Sequence, residues 1–249
     1  MAVAYTSIYI FVLGAVLDVV FGGTVFLFDA ADKYIVPPFR AIKGTVPLEE
    51  FLFYGTGGLA IVLVYFWADE YWFSAYNVRC RRELIPRPGY LIKFSPLALA
   101  TACGLLIAGI IAKRAVAHVW AIPVYYTFLV LVALTPAVVL FEALKGLVNW
   151  RAFSFTALYV MLTSILWEVT LGIPQFWWRY KESGMIGKSI DAFSYHENGK
   201  IAIFPIEALI VWIAVSFSVI LFYEAMKAYR YDSRPAGQKL FGPPPWASE

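Results

Sequence analysis

At 249 residues, 61% hydrophobic and only 15% charged, with a mean hydropathy of +0.70, the chain is far more apolar than a soluble domain, which lies near 45–50% apolar and 25% charged. A net charge of +3 spread over loops suits a membrane surface better than nucleic acid, and the chain holds neither a P-loop nor a GxGxxG after a strand, so no bound nucleotide is implied. The two cysteines, Cys80 and Cys103, are too far apart for a CxxC metal site, and His118 and His196 form no HExxH, so no metal and no cofactor are expected.

The start lacks the basic region of a secretory signal peptide, and residues 4–28 are long enough to span a bilayer. Further apolar stretches follow at 48–67, 96–111, 119–141, 153–171 and 203–223. Each has roughly the 17–25 residues that cross about 30 Å of hydrocarbon. Pro123 and Pro136 are expected to kink the fourth, and Cys103 reads as inert core of the third. The fold expected is therefore all-α: a polytopic membrane helical bundle of about six spans, or seven if one further segment crosses. Six spans put both termini on one side, and a small excess of Lys and Arg there favours a cytoplasmic location. That excess includes a basic loop, Arg79, Arg81, Arg82, Arg87 and Lys93. The end of the chain, 231–249, with Gly242-Pro243-Pro244-Pro245, reads as a disordered or surface-lying tail.

A phrase recurs at the mouths of two of these stretches. Pro47-Leu48-Glu49-Glu50 opens the second and Pro205-Ile206-Glu207-Ala208 opens the sixth. Each is preceded by a span carrying an acid, Asp18 in the first and Glu168 in the fifth. The chain accordingly divides into a first repeat unit at 1–75, a basic loop and linking helices at 76–150, a second unit at 151–230 and a polar tail at 231–249. A shift of four spans leaves the two units parallel, with both Pro-x-Glu ends at one membrane face, where they can share a pocket.

Carboxylates inside a membrane are expensive, and an intramembrane acid is a functional-site hypothesis by default. Taken singly, each Pro-x-Glu is also an ordinary helix start, with proline at the first position and an acid in the first turn. The duplication and the acid in each preceding span favour function. Glu49 and Glu50, about 100° apart on a helix, cannot share a face. A mostly dry site favours a proton-bearing carboxyl, which is a general acid. Glu142 and Glu224 lie near span ends and are expected to snorkel outward. Trp67, Tyr71, Trp72, Trp167, Trp177, Trp178 and Tyr180 suit either an interfacial belt or ring faces that steady a carbocation; Trp167, inside a span, is the least belt-like.

The run Pro47-Leu48-Glu49-Glu50-Phe51-Leu52-Phe53-Tyr54, the second Pro205-Ile206-Glu207, and the stretch Trp167-Glu168 … Trp177-Trp178-Arg179-Tyr180 … Met185-Ile186-Gly187 resemble the lycopene cyclase domain family of integral-membrane, flavin-independent carotenoid and terpene cyclases. The resemblance covers 16–54 and 164–223. It implies a redox-neutral isoprenoid cyclase: a glutamic acid protonates an alkene, an internal alkene closes a six-membered ring on the cation, and a base removes a proton. On it Glu49, Glu50 and Glu207 become acid/base candidates, Asp18 and Glu168 supporting or relay residues, and Trp167, Trp177, Trp178, Tyr180 and Phe53 the cation-stabilising wall. The implied partners are an apolar isoprenoid from the bilayer and membrane lipid, in a cell membrane; oligomeric state is left open. Ala208 stands where the family has a second acid, Leu17-Asp18-Val19 and Trp167-Glu168-Val169 stand for its Trp-Asp-Asn, and the extra first helix of unit one is missing.

Rival readings are a proton-coupled carrier, a non-catalytic membrane protein whose acids pair with Arg40, Lys43 or Arg179, and an intramembrane protease, which lacks the arginine it would need after Glu49-Glu50.

Overall fold

The computed structural model describes residues 2–28, 34–36, 38–42, 44–76, 89–197 and 199–243. Lys43, Cys80, Arg79, Arg81, Arg82, Arg87, Pro244 and Pro245 lie outside the described residues. The first span comprises α1 (Ala2–Val16), a π-turn (Leu17–Phe21) and α2 (Gly22–Val25), and runs into β1 (Phe26–Leu27). A short hairpin of β2 (Phe39–Arg40) and β3 (Thr45–Val46) leads to α3 (Leu48–Trp67), which ends in a π-turn at Ala68–Trp72. Then come α4 (Pro96–Ala117), α5 (Val124–Leu144) and α6 (Trp150–Trp167), the last closing in a π-turn at Glu168–Gly172. After β4 (Arg179–Tyr180) and the hairpin β5 (Tyr195–Glu197) and β6 (Lys200–Ala202), the chain enters α7 (Glu207–Tyr231) and finishes in α8 (Ala236–Phe241). Six helical segments are long and apolar enough to cross a membrane, and the fold is an all-α polytopic bundle. In a bilayer, helices are favoured because every backbone group within them is satisfied internally.

Local signals set the helix ends. Ser95 Oγ accepts the Ala98 N–H at 3.3 Å ahead of Pro96, and Asn149 Oδ1 accepts the Ala152 N–H at 3.3 Å. His118, with φ of 56°, turns the chain out of α4. Pro123 caps α5 rather than kinking it, so the fourth span begins at Val124, five residues later than the apolar pattern suggests; Pro136 is the one proline inside that helix.

Helix α7 sits in the middle, packed against α1, α3, α5 and α6, while α4 leans on α5 at the outside. Cys103 therefore faces out of the bundle, not into its core. Glycines let α1 and α3 touch: a Cβ on Gly58 would lie 2.0 Å from Ile10 Cγ2, and one on Gly14 2.1 Å from the Tyr54 ring. The apolar interior forms two layers. Val25, Val46, Leu129, Ile173, Met185 and Phe204 pack near the Pro-x-Glu ends, and Ile61, Tyr65, Leu144, Val219 and Ile220 pack in the other half.

The first and fifth spans share a feature near their ends, a π-turn that holds a buried acid, Asp18 or Glu168, followed in the first by the single turn α2. The strands beyond them pair antiparallel, Phe26 opposite Tyr180. Lys181 reinforces this junction by donating its backbone N–H to Val25 O and its Nζ to Gly23 O, both at 2.8 Å. Gly184 packs against the backbone there, where a Cβ would stand 2.5 Å from Thr24 O.

Within the tail expected to be disordered or surface-lying, residues 231–243 are described and ordered against the bundle. Helix α7 continues to Tyr231, and α8 docks by accepting the Leu91 and Ile92 N–H groups at Lys239 O and Leu240 O, both at 2.9 Å. Arg234 pairs with Asp232, holding that carboxyl down at about 2, and reaches Gly89 O at 2.8 Å. Glu224 does not snorkel outward: it is 5% exposed and paired with the buried Lys227.

Candidate active site

Between α1, α3, α5, α6 and α7, at the Pro-x-Glu end of the bundle, lies a chamber of about 420 Å³. That is within the usual range for small-molecule sites. Its walls are mostly apolar and aromatic, and three carboxyl side chains reach it: Glu49, Glu50 and Glu168. Helix α3 supplies one side through Glu50, Phe53, Tyr54 and Gly57, spaced so that one helical face looks inward.

The two acids of the first motif have different duties. Glu49 Oε1 accepts the Ile35 N–H at 2.6 Å and the Val36 N–H at 3.4 Å, tying the 34–36 segment over the chamber. The same segment is held from the other side by the Tyr34 hydroxyl, which donates to Trp177 O. Burial, then the charges of Glu50 and Glu49, push the Tyr34 hydroxyl well above the ordinary tyrosine range, so it remains a donor. The Glu50 carboxyl takes no hydrogen bond from the described residues and lies within electrostatic reach of Asp18, Glu168 and Glu49. It is the carboxyl left free to meet a ligand.

Glu168, on the π-turn that ends α6, accepts the Tyr180 hydroxyl at 2.8 Å. The β1–β4 junction delivers that tyrosine, so the pairing of two remote strands orients the acid. Burial, followed by the charge of Glu168, pushes the Tyr180 hydroxyl far above its usual range. Asp18 is 0% exposed and stands behind the wall; neither of its oxygens makes a hydrogen bond of regular geometry, and Tyr54 is the polar group that approaches it.

Glu207 does not join the chamber. It is 0% exposed and its Oε1 accepts the Ile186 N–H at 2.6 Å. Beside it Lys113 of α4, itself buried, donates to Ser183 O and Met185 O, each at 2.6 Å, within electrostatic reach of Glu207. The second motif's glutamate thus anchors the 183–186 loop just as Glu49 anchors 34–36. The motif's next position, Ala208, offers no counterpart to Glu50 and is buried in the core.

All five aromatic candidates line the chamber. Trp167 meets Trp177 edge to face at 5.7 Å and stacks near Trp178 at 6.5 Å. Phe53 and Trp167 line the chamber and remain 39% and 37% exposed, so they stand at its rim. Sequence reasoning passed over Tyr34, Tyr54, Tyr125 and Trp212 on the walls, and the buried Lys113. Tyr54 was accessible to it, being one turn beyond Glu50; Tyr125, on a helix with no polar motif, carried no signal. Trp67, Tyr71 and Trp72 stand well exposed at the far end of α3, away from the chamber, as belt residues do.

Among the described residues no group of three or more His, Cys, Asp or Glu side chains could hold a metal ion. The arrangement offers an unencumbered carboxyl, a second carboxyl oriented by a phenol, and ring faces between them. Such a set can give a proton to an apolar molecule, shelter the cation and take a proton back. No family model, curated protein or solved structure matches the chain.

Proposed function

We propose that the chain is a membrane-embedded, redox-neutral isoprenoid cyclase of the lycopene cyclase type, working by alkene protonation and carbocation ring closure. The observation that carries this reading is the Glu50 carboxyl, without a hydrogen-bond partner among the described residues and facing an apolar chamber walled by aromatic rings, with Glu168 also on its wall.

In this reading the Glu50 carboxyl gives its proton to one carbon of a terminal alkene, whose π pair forms the new C–H bond. The tertiary cation left on the other carbon lies against the faces of Trp167, Trp177 and Trp178. A second alkene of the same chain supplies its π pair to close a six-membered ring, moving the charge onward. Glu168 takes the proton next to the new cation, and that C–H pair becomes the ring double bond. Substrate and product share one formula, so no oxidant or cofactor enters; the proton gained by Glu168 returns to Glu50 before the next turnover. Tyr180 holds Glu168, Glu49 holds the 34–36 segment closed, and Asp18 with Tyr54 adds a reserve acid behind the wall. The substrate enters from the bilayer past Phe53 and Trp167. We place the protein in the cell membrane with cytoplasmic termini.

Expression in a lycopene-accumulating bacterium, followed by pigment extraction and chromatography, tests the reading. Cyclised carotene from the wild type, lost on Glu50→Gln with protein level unchanged, is expected. Unaltered lycopene beside abundant folded protein removes that substrate, and a failure to cyclise shorter prenyl chains as well would return the chamber to the carrier reading.

A further inference from the structure

Three glycines line the chamber, and two of them are explained by packing. A Cβ on Gly58 or Gly14 would strike Ile10 or the Tyr54 ring at 2.0 and 2.1 Å, so the contact of α1 with α3 requires both. Gly57 is different. A Cβ there would find only the Trp212 ring of α7, at 3.8 and 3.9 Å, which is ordinary contact distance. Its backbone is helical, so no left-handed turn demands glycine either. What the missing side chain leaves is open volume in the chamber.

The position of that volume gives it meaning. Gly57 lies seven residues, about 10.5 Å at 1.5 Å per residue, along α3 from Glu50. The chamber therefore runs from the free carboxyl down the inner face of α3 to the place where Trp212 faces Gly57. Phe53 lies between them, edge to face with Trp212 at 5.9 Å. An apolar chain reacting at Glu50 must lay its remaining carbons along this strip and past the Trp212 ring, toward Gly58 and Val215, which also line the chamber.

We propose that Gly57 and Trp212 together set the length of isoprenoid chain that the chamber accepts, Gly57 by leaving space and Trp212 by narrowing the passage opposite it. This rests on reading the chamber as an isoprenoid site, and the test separates the two. A hydrophobic pocket discriminates by roughly 10- to 200-fold for a methylene gained or lost, so a side chain added at Gly57 should move the preference measurably.

The purified protein in detergent is titrated with geraniol, farnesol and geranylgeraniol, and the thermal shift caused by each is recorded. Gly57→Leu should move the best ligand to a shorter alcohol and weaken the longest by about 10-fold or more. Gly57→Ala, for which the structure has room, should move it the same way by less. Trp212→Ala should move it to a longer one, and Gly55→Leu, whose side chain would enter open space away from the chamber, should not move it. The proposal is overturned if Gly57→Ala and Gly57→Leu, melting like the wild type without ligand, keep its order of preference or lose all lengths equally. It is also overturned if the wild type responds to no prenyl alcohol. A length shift in binding without cyclised product from the wild type would uphold this proposal and remove the cyclase reading.

Discussion

Replacing Glu50 with Gln keeps the side chain's shape and removes its transferable proton, so this substitution isolates the acid. If Glu50 is the donor, ring closure should fall by about 10²–10⁴-fold, with melting temperature preserved because no hydrogen bond is lost. Glu207→Gln should do the opposite. Its carboxylate serves the Ile186 N–H and lies near Lys113, so the variant should melt lower while product per folded molecule stays near the wild-type value. Equal loss of turnover in both, at equal stability, would put Glu207 back among the catalytic acids. Tyr180 supplies a pH test. Its folded-state value lies above the ordinary one of about 10, so the unfolded chain releases the proton first. The stability it contributes is complete below about pH 10 and declines as pH rises beyond. Tyr180→Phe, lacking the bond to Glu168, should be less stable at neutral pH by about 1.5–3 kcal/mol. The gap should narrow in alkaline buffer, as followed by thermal melting of the detergent-solubilised protein. A gap independent of pH would mean that the phenol's proton has no part in it.

The helices place these groups, and their contacts are narrow. Gly58→Ala would push a methyl to 2.0 Å from Ile10 Cγ2, on a β-branched side chain with little freedom to turn aside. Overpacking of this kind costs about 1–3 kcal/mol. Ile10→Ala in the same molecule should recover much of it, because the two sites share one contact; a strictly additive double variant, measured by denaturant titration, would show that α1 and α3 do not meet there. Elements of this kind differ in how far the sequence reveals them. The spans were legible from apolar length alone, and the acids from their position at helix mouths. The start of α5 was misplaced by five residues because hydropathy continues through Val119 to Pro123 where the backbone does not. The π-turns at Leu17–Phe21, Ala68–Trp72 and Glu168–Gly172 left no mark in the sequence. Each is an α-helical stretch whose extra residue is dictated by what it packs against, and each carries a buried acid, Asp18, Asp69 or Glu168. The role of Glu207 was equally hidden: it holds the place of Glu49 in its motif and, like Glu49, anchors a loop, while Ala208 stands where Glu50 faces the chamber.

Across the whole molecule the polar interior is split between two ends. One is the chamber. The other ties α3, α6 and α7 together in the opposite half of the bundle, where Asn149 donates to Asp69 Oδ1 at 2.9 Å and to Phe73 O at 3.0 Å, and accepts nothing less than the start of α6 in return. The Tyr65 hydroxyl takes the Asn149 N–H at 3.1 Å and also interacts with Glu224, which is paired with Lys227. Trp72 and Phe155 close the same seam edge to face at 4.9 Å. None of these residues lines the chamber. With the helices fastened at the far end, a lipid substrate, on the proposed cyclase reading, would enter at the other end past Phe53 and Trp167. If the far end is a clamp and not a second functional site, its effects should be confined to stability. Lys227→Met leaves Glu224 buried without its cation and should cost about 3–5 kcal/mol, whereas Glu224→Leu with Lys227→Met should be nearly neutral or stabilising. Product formed per folded molecule should be the same in both as in the wild type, measured by chromatography against the amount of protein surviving detergent extraction. Loss of product from the well-folded double variant would mean that the buried pair feeds the chamber, by protons or by coupled movement, and the division of the molecule into a clamped end and a reactive end would have to be abandoned.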